Sequence, residues 1–160
     1  MQMTSTLSFA APPETVAAMF IDPEFAARLA TAMHAENFTV TIIDNGLTAV
    51  YTIPSPEVTK KLLGATMTVT QTTAWDMATG PVRTGRLTMS VTGMPAVSDG
   101  PLRLEAGEGG SSLVYEADFV VSVPLVGRLL EEMASQNLSR MLGALQQVGD
   151  AWLAETKARQ

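Results

Sequence analysis

A chain of 160 residues, 46% hydrophobic and 16% charged, has the composition of a protein that folds around a core, and this excludes intrinsic disorder, whose balance is the reverse. Its net charge of −6, with Lys60-Lys61 the one adjacent basic pair, offers no basic face for nucleic acid or for an anionic membrane surface. Without cysteine there is no disulfide framework, no thiol nucleophile and no thiolate-held metal.

The length predicts one domain over residues 1–160. The opening MQMTSTLSF lacks the charged and apolar regions of a signal peptide, and no run approaches the roughly 18 apolar residues of a membrane span. A cytoplasmic protein without stable membrane insertion is expected.

Residues 3–9 read as a short strand. The following APPETVAAMF opens a helix, with prolines where they are tolerated and Glu14 where a carboxylate suits the dipole. Val16, Met19 and Phe20 share its apolar face. Asp22-Pro23 caps a second helix that runs to about Met33, with Phe25, Leu29 and Met33 on one face.

From Asn37 the period becomes two. Phe38, Val40 and Ile42 alternate with threonines, Asp44-Asn45-Gly46 is a hairpin turn, and the return strand sets Leu47, Ala49, Tyr51 and Ile53 on one face. Residues 54–64 read as a proline-broken loop with room for one helical turn. Leu62 and Leu63, beside two lysines, suit either a gate that touches membrane or partner, or a tuck under the sheet edge.

Met67, Val69, Gln71, Thr73 and Trp75 alternate with threonines in the clearest strand. Residues 82–92 follow with Leu87, Met89 and Val91. Leu102 and Leu104 mark a shorter strand, and GEGGSS turns into the last one, where Leu113, Tyr115, Ala117, Phe119 and Val121 oppose Glu116 and Asp118. Short turns between such strands predict an antiparallel meander. Beyond Pro124 the period is helical to about Thr156, through Leu129, Met133, Leu138, Met141, Leu145, Trp152 and other apolar residues. The fold class is therefore α+β, a curved antiparallel sheet of six or seven strands gripping one long C-terminal helix.

This order of elements resembles the START/Bet v 1-like (SRPBCC, helix-grip) superfamily over essentially the whole chain. The segments FIDPEFAARLA and VSVPLVGRLLEE are similar to a bacterial branch of it, the domain-of-unknown-function family numbered 2505. The resemblance implies an internal hydrophobic cavity. In many relatives such a cavity binds lipids, sterols or polyketides, and some relatives are cyclases or aromatases.

Candidates for chemistry are few. His34, the only histidine, reads as a general base or as a solvent-facing residue at a helix end. It cannot form a Ser-His-Asp relay unless a serine and an aspartate converge on it. Gly107 to Gly110 lie between strands and lack the strand-to-helix setting of a phosphate loop. Glu116 and Asp118 would serve acid–base work only if buried. Arg83 would meet either an acidic ligand group at a cavity mouth or a surface carboxylate. No catalytic residue, metal ligand or cofactor is assigned.

The expected cavity wall is drawn from residues in phase with apolar faces. On the strands these are Tyr51, Gln71, Thr73, Trp75, Met89, Tyr115 and Phe119. Met133 and Met141 are their counterparts on the helix. Methionine adapts its shape to varied partners, and buried Gln71 and Thr73 need hydrogen-bond partners, whether ligand, water or neighbour. Three functions fit: a carrier or sensor of a small apolar ligand, a cyclase- or aromatase-type enzyme using the same cavity, and a ligand-free interaction protein.

Overall fold

The computed structural model describes residues 2–55, 57, 60–93, 96–121 and 127–159, without the side chains of residues 62, 63, 96, 127, 129, 133, 134 and 137. Its strands are β1 (Gln2–Phe9), β2 (Asn37–Ile43), β3 (Gly46–Pro54), β4 (Thr66–Trp75), β5 (Arg83–Val91), β6 (Ala96–Gly107) and β7 (Gly110–Val121). The helices are α1 (Pro13–Phe20), α2 (Pro23–Ala32), the single turn α3 (Lys60–Leu63) and α4 (Gly127–Ala158). All seven strands form one sheet in the order β1-β7-β6-β5-β4-β3-β2, each pair antiparallel.

Strand alternation sets the two faces. Leu47, Ala49, Tyr51, Val69, Leu87, Leu102, Leu113 and Tyr115 are buried on the concave side. The other side carries the β3 and β4 threonines apart from the inward Thr73, and directly paired ones hydrogen-bond across the two strands: Thr48 to Thr72 at 3.0 Å and Thr52 to Thr68 at 3.2 Å. Cross-strand pairs of this kind hold the register that keeps the apolar face inward.

β6 corrects the expectation of a short strand around Leu102 and Leu104, since it extends over 12 residues. Asp99, Gly100 and Pro101 are residue types that favour turns, yet the strand continues through them. Gly100 makes this possible, because a Cβ there would lie 1.8 Å from the Glu116 carbonyl oxygen. Pro101 has no N–H to donate, and the paired residues Asp99–Asp118 and Leu102–Tyr115 flank a lapse in the ladder to β7.

α2 begins and ends on its sequence signals. The Asp22 carboxylate accepts the Glu24 N–H at 2.8 Å, and Pro23 fills the first position. At the other end Ala35 N–H bonds Ala30 O at 2.9 Å and His34 N–H bonds Thr31 O at 3.0 Å. This is the double closure of a Schellman motif, and exposed His34 supplies its left-handed residue at φ 61°.

α4 has 32 residues and at about 1.5 Å per residue is a rod of about 48 Å. Its expected start at Pro124 lies outside the described residues, as does the VPLVG segment up to Val126, and Gly127 is the first described residue of the helix. The helix packs on β1, β7 and α2, burying Leu138, Met141, Leu142, Leu145 and Leu153. Gly149 allows the close approach to β1, since a Cβ there would lie 2.7 Å from Phe9 Cε1. Gln146 Nε2 donates to Ser8 O at 2.7 Å on the same strand. Against α2, the Arg28 guanidinium sits 5.0 Å over the Trp152 ring and bonds Glu155 at 2.5 Å.

Candidate functional site

The concave face and the helices enclose an aromatic knot centred on Phe20. Its ring meets Phe9, Phe25 and Trp75 edge-on, at centroid distances of 5.9, 6.0 and 6.3 Å. Trp75 belongs to this knot because the end of β4 runs under α1, where its indole N–H bonds Ala17 O at 3.0 Å.

Two small cavities adjoin the knot. The first, about 20 Å³, lies among β1, β4 to β7 and α4, with Leu7, Leu87, Leu113 and Met141 in its wall. The second, about 30 Å³, lies between α2 and the inner face of β2 to β4, with Phe25, Met33, Phe38, Ala49 and Tyr51. Each has room for one or two water molecules. Phe20, Leu29, Gln71, Thr73 and Leu145 line both and form the waist between them.

Gln71 and Thr73 are the polar side chains of that waist, and Tyr51 and Tyr115 border one cavity each. Tyr51 donates its hydroxyl to Gln71 Oε1 at 3.1 Å. Burial pushes the Tyr51 pKa up to about 12, because the phenolate would lose its water. Tyr115 shares a 3.1 Å hydrogen bond with Ser98 and donates to Leu87 O at 3.3 Å, reaching across β6 to do so. Its pKa is raised as well, chiefly by burial. Among the described residues no Asp, Glu, Lys, Arg or His lines either cavity.

A family model described as "Protein of unknown function (DUF2505)" matches residues 4–153. The chain belongs to this family. No curated protein matches its sequence. Among solved structures it is similar to a protein from Rhodobacter sphaeroides, with TM-score 0.62 and 19% identity over 97% of this chain and 93% of that one. Human STARD10 gives TM-score 0.65 and 11% identity, over 98% of this chain and 66% of that one. Ara h 8.0201 gives TM-score 0.62 and 15% identity, over 91% and 95%. The chain thus shares with these structures the helix-grip fold, a curved antiparallel sheet around a long C-terminal helix.

Of the nine residues singled out in the sequence, the structure gathers five around the two cavities. Gln71 and Thr73 sit at the waist, Tyr115 and Met141 border the first cavity, and Tyr51 borders the second. Trp75 is buried in the aromatic knot, while Met89 and Phe119 are half-buried, and all three stand outside both walls. The side chain of Met133 lies outside the described residues.

Sequence reasoning missed the waist residues Phe20, Leu29 and Leu145, and it missed Ser5. The last was signalled by its phase with Leu7 and Phe9 on β1. Arg83 bonds Glu14 at 2.9 Å, which is the carboxylate reading of that residue, and its buried Nε has no partner among the described residues. Glu116 and Asp118 are exposed on the outer face. The side chains of Leu62 and Leu63 lie outside the described residues.

The outer face also carries an open depression bordered by Asp76, Arg86, Arg103 and Glu116. Arg86 is engaged there in a two-pronged bond to Asp99 at 2.7 and 2.6 Å, which lowers the Asp99 pKa. Among the described residues no cluster of three or more His, Asp or Glu could hold a metal ion, and no helix is long and apolar enough to cross a membrane.

Proposed function

We propose that this protein binds a small apolar molecule between the concave sheet and α4, as a carrier or sensor. The observation that carries the reading is the pair of adjoining apolar cavities, divided only by a waist of five side chains. Pockets of this kind, apolar with a few placed polar groups, suit hydrophobic ligands. Their small volumes mean that a ligand enters by moving the waist, most readily Leu29 and Leu145, and the flexible Met33 and Met141 give way at the two ends.

The described residues of the walls include no carboxylate, histidine or amine, and so no acid–base pair of the kind a cyclase or aromatase would use, which favours binding over catalysis. No cofactor and no nucleic acid enter the proposal. Native mass spectrometry of the full chain purified from cells tests it: a co-purified apolar molecule is expected. Leu145→Trp, which fills the waist, is expected to abolish uptake of the hydrocarbon probe diphenylhexatriene. If no adduct is found and the unmodified chain takes up no probe, the interior is solid and the interaction-protein reading replaces this one.

A further inference from the structure

We propose that the ligand is an uncharged, elongated molecule carrying a hydrogen-bond acceptor near its middle, such as a ketone or ester carbonyl, held by Gln71 and Thr73. This rests on the reading that the interior binds an apolar molecule, and adds the ligand's charge and the position of its polar group.

Charge is decided by the walls. A carboxylate or ammonium head brought inside would be stripped of water and find no counter-ion, since no charged side chain among the described residues lines either cavity, and an unpaired buried charge is strongly disfavoured. Tyr51 and Tyr115 do not supply one, because burial keeps both phenols protonated well above neutral pH.

Position is decided by where unused polar hydrogens lie. Tyr51 occupies Gln71 Oε1 and so fixes the amide with its N–H groups as the free end. Among the described residues neither that nitrogen nor the Thr73 hydroxyl has a hydrogen-bond partner. Both can donate, and both residues line both cavities, which places a pair of donors at the midpoint. The Tyr115 hydroxyl is already engaged with Ser98 and Leu87. Ser5 is the remaining polar wall residue and is confined to the first cavity. Away from the waist the walls are mainly apolar, with Met141 in one and Met33 in the other. A ligand with apolar arms on either side of a carbonyl matches this distribution, and each arm extends one of the two cavities.

The test is displacement of diphenylhexatriene from the full chain. The competitors are a fifteen-carbon ketone with its carbonyl at the middle carbon, the alkane of equal length and the carboxylate of equal length. The ketone is expected to compete about tenfold better than either, the size of effect one well-placed hydrogen bond supplies. Gln71→Leu is expected to erase that advantage, read as the ratio of ketone to alkane displacement within the variant. Tyr51→Phe, which releases the amide to turn, is expected to reduce it, and serves where Gln71→Leu does not fold. Probe uptake with no preference for the ketone, or with the carboxylate preferred, overturns this proposal and leaves the binding reading standing. Failure of the unmodified chain to take up the probe removes the binding reading itself, and this proposal with it.

Discussion

The indole N–H of Trp75 donates to the carbonyl oxygen of Ala17 at 3.0 Å, joining the last residue of β4 to the last turn of α1. That carbonyl is one of the helix-end acceptors left without an intrahelical partner. The N–H four residues on, at Ile21, turns to Ala18 O instead. Trp75 therefore works as a cap delivered from the sheet. Trp75→Phe keeps an aromatic ring but strands a buried carbonyl. A loss of about 1–3 kcal/mol is expected from urea unfolding, and a loss below the error of that measurement would show that water replaces the indole.

His34 stands where a helix-ending motif needs a left-handed residue, at φ 61°. Glycine adopts that conformation without the Cβ penalty of about 1 kcal/mol or more. His34→Gly is therefore expected to raise stability by about 0.5–1 kcal/mol in thermal unfolding. His34→Ala keeps the Cβ and should stay within about 0.5 kcal/mol of the parent. If His34→Ala instead removes ligand binding, the exposed imidazole has a role beyond closing α2.

The strands with unbroken alternation, β3, β4 and β7, were legible in the sequence, as were the Asp22-Pro23 start of α2 and the long periodic stretch of α4. β6 was not, because Gly100 and Pro101 carry turn chemistry and only the close passage of Glu116 shows why glycine is needed inside a strand. The site divides in the same way. Gln71 and Thr73 stood out because polar side chains interrupt an apolar phase. Phe20, Leu29 and Leu145 did not, since a residue that separates two cavities has the same phase as one that merely fills a core. Trp75 shares the register of Gln71 and Thr73. The crossing of α1 over the end of β4 takes it out of the cavity wall, and nothing within β4 encodes that crossing.

Tyr51 gives the protein an alkaline limb. An unfolded tyrosine titrates near 10, whereas the buried one titrates at about 12. Below the lower value both states hold the proton, and the contribution to stability is fully present. Between the two values the unfolded chain gives up its proton first, so stability falls with rising pH by up to about 1.4 kcal/mol per pH unit. Above the upper value the loss levels off. Tyr115 is shifted the same way, so the informative quantity is the difference between parent and Tyr51→Phe. The variant is expected to show a shallower decline in urea midpoint across this window. Equal slopes would mean that Tyr51 titrates as an exposed phenol.

Met141 separates a filled interior from an open one. It is 5% exposed and borders a cavity of about 20 Å³, too small for its side chain to be facing open space. Met141→Ala should therefore cost about 2–5 kcal/mol, as in a packed core where the neighbours relax only partly. Met89 is half-buried and lines neither cavity, so Met89→Ala should cost less. The same truncation at Met141 enlarges the first cavity, and uptake of the hydrocarbon probe should rise while stability falls. A packing role alone predicts the first effect without the second, because a collapsed core gains no room. A loss under about 1 kcal/mol at Met141, together with unchanged uptake, would mean that the walls around it already give way freely, and the waist would then no longer be the barrier that a ligand has to move.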